Sequence, residues 1–264
     1  MIVSVSRRTD VPAYFSPWFF NCLKAGFVET ANPYNPRRFR RISLLPEDVD
    51  GFVFWTKNPL PMMDSLGLLD GYGYYFLFTL NPYGDDIEGG LPPKRELIGA
   101  FKTLSGILGA TRVVWRYDPV LLGGPIDAGF HAASFKALAA ELAGYTRKVI
   151  FSFLDGYRKN AKTLENLQIR TPDAEQKPAI AERLSAIARG AGLEIASCAE
   201  DIDLSRYGIS PSRCIDGALL EAAGGRPVPY KKDRNQRPFC HCADSVDIGA
   251  YKTCRGACVY CYAK

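Results

Sequence analysis

Short apolar runs recur along the chain and alternate with segments of mixed polarity. Runs rich in β-branched and aromatic residues cover residues 2–6, 51–55, 74–80, 111–117, 148–154 and 193–197. Near-continuous apolar runs of this length are typical of strands that are buried on both faces of a parallel sheet. The pattern therefore predicts the strands of such a sheet.

Between these runs, apolar residues recur at the spacing of an amphipathic helix. The spacing predicts helices over residues 94–108 and 134–144, and from a cap at Thr171, with Pro172 in the first turn, to Gly190. Shorter helices are expected over residues 17–24 and 211–223.

Strands that alternate with helices predict an α/β fold with right-handed crossovers. We expect a partial or near-complete parallel (β/α) barrel, similar to a TIM barrel. Residues 1–207 would form the barrel body. Residues 208–264 are rich in cysteine, proline and charge, and we expect them to form a cap on the barrel mouth within the same structural unit.

Polar side chains follow the predicted strands, at the point where each strand ends. The candidates for an active site are Arg8, Asp10, Lys57, Asn81, Arg116 and Asp118. In β/α folds, active sites gather at the carboxyl ends of the strands, which favours one shared polar pocket. The alternative is ordinary turn chemistry, because Asn-Pro and Asp-Pro start turns routinely.

The chain carries a modest positive charge and contains eight cysteines. The chain has 33 basic and 28 acidic residues, a formal net charge of +5. The basic residues cluster in two segments, which either meet an anionic partner or lie in solvated loops: Arg37, Arg38, Arg40 and Arg41 in the first, and Arg226, Lys231, Lys232, Arg234 and Arg237 in the second.

The sequence has no apolar run of about 18 residues and no secretory signal, so we expect a cytoplasmic protein without a membrane span. Disulfides are rare in a reducing cytosol. Clustered cysteines there favour metal binding or redox chemistry.

Three cysteines, Cys254, Cys258 and Cys261, form a C-x3-C-x2-C motif. Thiolates are the soft ligands that iron–sulfur clusters select. Three of them on one loop can hold three irons of a [4Fe–4S] cubane and leave the fourth iron open. The alternatives are a structural zinc site completed by Cys240 or Cys242, and an iron–sulfur cluster without an exogenous ligand.

The motif resembles that of the radical S-adenosylmethionine (SAM) superfamily. The run from Gly256 to Ala263, with Tyr260 before the last cysteine, is most similar to the branch that contains spore photoproduct lyase. The whole chain also resembles an uncharacterised bacterial family of unknown function with a C-terminal cysteine cluster. In the superfamily the motif follows the first strand of the barrel, so the resemblance implies circular permutation, with residues 245–251 as that strand.

The resemblance further implies that SAM binds the open iron and is cleaved by one electron from the reduced cluster to a 5′-deoxyadenosyl radical, which abstracts hydrogen from an unknown substrate. Tyr260 would lie near the adenine. Lys57 or Arg116 would hold the SAM carboxylate or an anionic or nucleotide-like substrate. Flavodoxin or ferredoxin would donate the electron.

Four further cysteines, Cys198, Cys214, Cys240 and Cys242, are enough for a second site. We expect an auxiliary [4Fe–4S] cluster there; structural zinc and unligated cysteines are the alternatives, and His241 could replace one thiol. Cys22 lies among apolar residues and is expected to be a core residue.

Two other functions remain open at this point. One is a nucleic-acid-binding protein with structural metals, which would use the two basic segments on phosphates. The other is an iron–sulfur redox protein without SAM chemistry.

Overall fold

The computed structural model describes residues 1–32 and 35–264. The strands are β1 Ile2–Val5, β2 Phe27–Asn32, β3 Asn35–Ser43, β4 Gly51–Thr56, β5 Tyr74–Thr79, β6 Glu88–Gly89, β7 Val113–Val120, β8 Lys148–Phe153, β9 Glu194–Ser197, β10 Ser210–Pro211, β11 Val246–Asp247 and β12 Ala257–Cys258. The helices are α1 Val11–Tyr14, α2 Ser16–Ala25, α3 Leu60–Met63, α4 Lys94–Leu108, α5 Ala128–Leu142, α6 Ala161–Asn166, α7 Gln176–Gly190 and α8 Gly217–Gly224.

Within the described residues, eight strands form one parallel sheet in the order β10-β9-β8-β7-β5-β4-β1-β11. The predicted α/β class with a parallel sheet is confirmed. The two outer strands, β10 and β11, are not paired with each other in the described part of the chain, so closure into a barrel is not shown. Both outer strands come from residues 208–264, so this segment extends the sheet as well as covering it.

One strand lies out of chain order. If β11 is counted first, the sheet order β11-β1-β4-β5-β7-β8-β9-β10 follows the sequence throughout. β11 pairs with β1 in parallel, with Val3 opposite Val246 and Ser4 opposite Asp247. The strand expected over residues 245–251 is therefore present, although it spans only Val246–Asp247.

Alternate residues of the central sheet strands enter two separate cores, as the period of two along a strand requires. In β4, Phe52 and Phe54 pack into the large core beneath the helices. Val53 faces the other side of the sheet, where Ile215, Leu220 and other apolar residues of the segment 214–243 cover it. The cysteine-rich segment therefore lies against the sheet face that the long helices leave uncovered.

The helix predictions were confirmed most closely for α4, which spans Lys94–Leu108 as expected. α7 begins at Gln176 rather than after Thr171. The Asp173 carboxylate accepts the backbone N–H of Glu175 and of Gln176, at 3.0 and 2.9 Å, and so holds a turn just before the helix, which begins four residues later than predicted.

α5 begins six residues before its predicted start because the Asp127 side chain accepts the Phe130 N–H at 2.7 Å and caps the helix there. α8 begins at Gly217, where Asp216 is the cap. The predicted start at residue 211 was wrong, because Ser210–Pro211 belongs to the sheet.

The first basic segment lies on a strand of an antiparallel hairpin that the sequence did not predict. β2 pairs with β3, and Arg37, Arg38, Arg40 and Arg41 are all exposed on β3. The guanidinium of Arg41 lies 3.4 Å from the centre of the Phe27 ring. The interpretation of this segment as a loop was wrong. Residues 33 and 34 lie outside the described residues.

Candidate metal and substrate cavity

A cavity of about 490 Å³ lies at the carboxyl ends of the central strands. This volume falls within the range of about 300–1,000 Å³ that is usual for small-molecule sites. Thirteen of the fourteen predicted site residues line it: Arg8, Asp10, Lys57, Arg116, Asp118, Tyr260, Cys198, Cys214, Cys240, Cys242, Cys254, Cys258 and Cys261. The structure therefore brings both cysteine sets to one cavity.

Asn81 is the exception, because its side chain is buried behind the cavity wall. Its Nδ2 donates to Glu88 Oε1 at 2.8 Å and to the Asp118 carbonyl at 2.7 Å, and its Oδ1 accepts the Asp118 N–H at 2.8 Å. The prediction that Asn81 lines the pocket was wrong. Its amide is fully used in holding two neighbouring strand ends together.

The loop of Cys254, Cys258 and Cys261 is held by a short strand. β12 pairs with β6 in antiparallel fashion, which places Cys258 opposite Glu88. Cys258 is buried, and burial raises the pKa of its thiol to about 11, although Lys57 opposes that shift. Cys254 and Cys261 are half-buried. All three thiols lie on the cavity side of the loop.

Asp247 anchors this loop to the first strand of the chain. Its carboxylate accepts hydrogen bonds from Ser4 Oγ at 3.0 Å, Ser6 Oγ at 2.6 Å, the Arg7 N–H at 2.8 Å and the Gly249 N–H at 3.0 Å. Position 249 must be glycine for this approach, since a Cβ there would lie 2.0 Å from Ser6 Oγ. β11 thereby fixes where the cysteine loop starts.

The second cysteine set, Cys198, Cys214, Cys240 and Cys242, forms one group of thiols in contact with each other. Cys198 Sγ lies 3.3 Å from Cys214 Sγ, and Cys242 hydrogen-bonds both Cys214 and Cys240. Hydrogen bonds from Cys214 and Cys240 lower the pKa of Cys242, and hydrogen bonds to its neighbours raise the pKa of Cys214. Strand β9 and the irregular segment 214–243 thus deliver four thiols to one place.

The chemistry of both donor sets fits sulfur-ligated metal centres. No group of three or more His, Cys, Asp or Glu side chains within residues 1–32 and 35–264 is arranged to hold a single metal ion. In the second set the thiols touch each other directly, so they would have to separate slightly around a single zinc ion and much further around a [4Fe–4S] cubane, whose four thiolates bind separate irons. In the first set, three thiols border a cavity large enough for a further ligand.

Comparison with known families places the whole chain in one group. The model of a family described as domain of unknown function DUF1848 matches residues 2–263. The chain belongs to this family. No curated protein matches the chain in sequence.

In this DUF1848 chain, Glu88 is the centre of a buried polar network that sequence reasoning missed. Its side chain is 1% exposed and accepts from Lys57 Nζ at 2.7 Å, Lys94 Nζ at 3.1 Å and the Tyr260 hydroxyl. Although burial alone raises the pKa of Glu88, the two lysines bring it down to about 2. Glu88 therefore remains ionised and holds Lys57 and Tyr260 beside the cysteine loop.

Glu88 lies in the two-residue strand β6 and not at the end of a strand of the central sheet, so no strand-end pattern pointed to it. The one local signal was an acidic residue followed by Gly89 and Gly90. Its pairing with β12 depends on residues that lie about 170 positions further along the chain.

Asp10 and Lys57 connect the first two strand ends. Asp10 Oδ2 accepts the Lys57 N–H at 2.7 Å, and Oδ1 accepts the Ala13 N–H at 3.0 Å, which caps α1. Burial raises the pKa of Asp10 to about 6, although these backbone hydrogen bonds oppose it. Asp10 can therefore exchange a proton near neutral pH, whereas Lys57 is held in an ion pair with Glu88.

Arg116 and Asp118 form an ion pair on the opposite wall, and Ser152 Oγ donates to the same carboxylate. The Arg116 guanidinium lies 4.7 Å from the centre of the Trp55 ring. Arg116 Nε and Trp55 Nε1 are buried without a hydrogen-bond partner in the described residues. Arg116 is near Cys198 and Cys214, whereas Lys57 is near Cys258. Arg116 therefore lies beside the second cysteine set, and Lys57 lies beside the loop of Cys254, Cys258 and Cys261.

The residues that sequence analysis set aside lie away from the cavity wall. His131 is buried between the Tyr117 hydroxyl, 2.8 Å from Nδ1, and the Leu121 carbonyl, 2.7 Å from Nε2. His241 is exposed, and Cys22 packs at the edge of the main core. Among the described residues, no helix has the length and apolar character needed to cross a membrane.

Proposed function

We propose that the protein is a radical SAM enzyme. Cys254, Cys258 and Cys261 would hold a [4Fe–4S] cluster whose open iron faces the cavity. When bound, this cluster supplies the electron for reductive cleavage of SAM. The observation that supports the proposal is that a C-x3-C-x2-C loop follows strand β11 at the carboxyl edge of a parallel sheet and borders a cavity of about 490 Å³.

The sheet order supports a circularly permuted (β/α) barrel as the architecture. Counting β11 first makes all eight strands of the described sheet sequential, and the cysteine loop then follows the first strand. Permutation is tolerated where the joined segments lie close together, and Asp247 joins β11 directly to β1.

The chain's own residues would prepare the cavity for SAM. Glu88 accepts from both Lys57 and the hydroxyl of Tyr260, and so ties Lys57 to the cysteine loop, which contains Tyr260. Lys57 Nζ also lies 5.6 Å from the centre of the Tyr260 ring. We assign the adenine to the Tyr260 side of the cavity and the carboxylate of SAM to the neighbourhood of Lys57, which lies near Cys258 and would share its charge between Glu88 and the ligand.

Cys198, Cys214, Cys240 and Cys242 would hold an auxiliary [4Fe–4S] cluster. All four line the same cavity as the first set, which supports a role in electron relay or substrate binding rather than a remote structural one. The proposal implies a reducing cytoplasm and an electron donor such as flavodoxin or ferredoxin.

Electron paramagnetic resonance of the anaerobically reduced, reconstituted full chain tests the proposal. We expect a [4Fe–4S]⁺ signal that shifts when SAM is added. The Cys258→Ser variant should lose the shift, whereas Cys22→Ser, outside both sets, should keep it. A cluster signal that ignores SAM would support a redox protein, and zinc without any cluster signal would refute the enzyme assignment.

A further inference from the structure

The charged groups that line the cavity are almost all paired. Four of the five lining cations have a carboxylate partner: Arg7 with Asp247, Lys57 with Glu88, Arg116 with Asp118 and Arg237 with Asp155. Among the described residues, Arg8 alone of these cations makes no ion pair. Paired cations already have a counter-charge, so Arg8 is the lining cation whose charge is wholly available for an incoming anion.

Arg8 lines the cavity, and it shares the ring of Tyr251 with a second cation. Its Nη1 donates to the Gly249 carbonyl at 3.2 Å, which fixes the guanidinium and leaves its other N–H groups without a partner in the described residues. The guanidinium is 5.2 Å from the centre of the Tyr251 ring, and Lys159 Nζ is 5.5 Å from the same centre. We call Arg8, Tyr251 and Lys159 the entrance set.

The loops around the entrance set are also positively charged. Arg158, Lys252 and Arg255 are exposed on these loops and form no ion pair within the described residues. The segment 155–160 contains one acidic residue, Asp155, and its carboxylate forms an ion pair with Arg237. A concentration of one sign of charge at the mouth of a cleft raises the local concentration of oppositely charged ligands.

Two segments far apart in sequence form this entrance. The segment after β8 contacts the cysteine loop, since Asn160 Nδ2 donates to the Tyr260 carbonyl at 2.7 Å. The Tyr157 and Tyr262 rings lie 5.5 Å apart, and Tyr262 and Tyr251 are exposed by 37% and 41%. The mouth thus combines free cations with exposed aromatic rings, the combination that binds phosphate esters with an attached base.

We propose that the entrance set binds the phosphate group of a phosphate-ester substrate, with Arg8 and Lys159 on the phosphate oxygens. A phosphate monoester carries about two negative charges and a phosphodiester carries one, so two unpaired cations suit either, and the free edge of a guanidinium suits a phosphate. This inference rests on the proposed function, because it names the substrate class for the same cavity. The phosphate comes either from a small ester such as a nucleotide or from a single-stranded nucleic acid.

Isothermal titration calorimetry on the reconstituted full chain tests this, with inorganic phosphate and a short single-stranded oligothymidylate as probes at matched ionic strength. We expect Arg8→Gln and Lys159→Gln each to weaken binding by roughly tenfold, as expected for losing one charged hydrogen bond. Arg206→Gln is the matched control, since Arg206 is exposed and lies 4.6 Å from the Tyr207 ring, outside the cavity wall.

Binding of inorganic phosphate that both variants weaken supports a small phosphate ester. Binding of the oligothymidylate alone, weakened by the same variants, supports a nucleic-acid strand. If neither probe binds, or if the variants bind like the control, the inference is wrong. Lys159 is exposed, so Lys159→Gln remains informative even if Arg8→Gln disturbs the Gly249 contact.

The same preparation separates this inference from the proposed function. If SAM shifts the resonance signal but neither probe binds, only the entrance inference fails. If the probes bind and SAM has no effect on the signal, the enzyme assignment fails while the entrance stands as an anion site.

Discussion

Replacing Glu88 by glutamine should reveal how strongly the buried network holds the cysteine loop. The substitution keeps the shape of the side chain but leaves Lys57, whose side chain is 16% exposed, without its counter-charge. The pKa of Glu88 falls from 4.5 to about 2, a difference that corresponds to about 3 kcal/mol of stability. Removing one partner of a buried ion pair costs roughly 3–5 kcal/mol, which agrees.

The assay is urea unfolding of the full chain at pH 7, followed by tryptophan fluorescence. With a slope of roughly 3 kcal/mol/M, the midpoint of Glu88→Gln should fall by about 1 M. Glu141→Gln is the matched control: Glu141 also pairs with a lysine, Lys102, at 2.6 Å, but its side chain is 53% exposed. An exposed pair of this kind contributes at most about 1 kcal/mol.

The pH dependence gives a second readout. Because folding lowers the pKa of Glu88, its contribution is fully present above pH 4.5 and is lost as the pH falls toward about 2. The difference between wild type and Glu88→Gln should therefore be constant from pH 8 to pH 5 and should shrink below pH 4.5. If Glu88→Gln costs no more than Glu141→Gln at pH 7, the network does not stabilise the loop as argued.

Three further outcomes are expected. Cys258→Ser should lower the iron content after anaerobic reconstitution from about eight to about four atoms per chain, one cubane fewer, as measured by colorimetric iron assay. Cys214→Ala should lower the iron content equally but keep the SAM-dependent shift of the resonance signal, because it removes a ligand of the other set. Asp247→Asn should lower the unfolding free energy by about 3 kcal/mol in urea titrations, because its oxygens accept four hydrogen bonds, two from serine hydroxyls and two from backbone N–H groups.

The sequence allowed the parallel sheet to be predicted because its signals are local. The runs in β4 and β5 are apolar on both faces, so their burial needs no knowledge of distant segments. α4 was predicted to the residue because one apolar stripe runs its full length. By contrast, β3 was interpreted as a loop, since four of the five residues from Arg37 to Arg41 are arginines and, within the described residues, the strand pairs with β2 alone.

The candidate site was predictable where one residue type carries the chemistry. Seven cysteines were expected at two sites, and all seven line one cavity. The roles of individual strand-end residues could not be predicted from the sequence, because each role depends on hydrogen-bond partners from distant segments of the chain. The side chain of Asn81 is hydrogen-bonded to Glu88 and Asp118. Glu88 becomes the centre of the polar network only through the pairing of β6 with β12.

The pairing of β1 with β11 also sets an order of events during synthesis. Ser4 and Asp247 are 243 positions apart, so at about 5–20 residues per second a ribosome needs tens of seconds to deliver the partner of the first strand. Until then one edge of β1 is unpaired and open to wrong neighbours. Metal loading at Cys254, Cys258 and Cys261 would have to wait for the same moment, so a nascent chain cannot acquire that centre early.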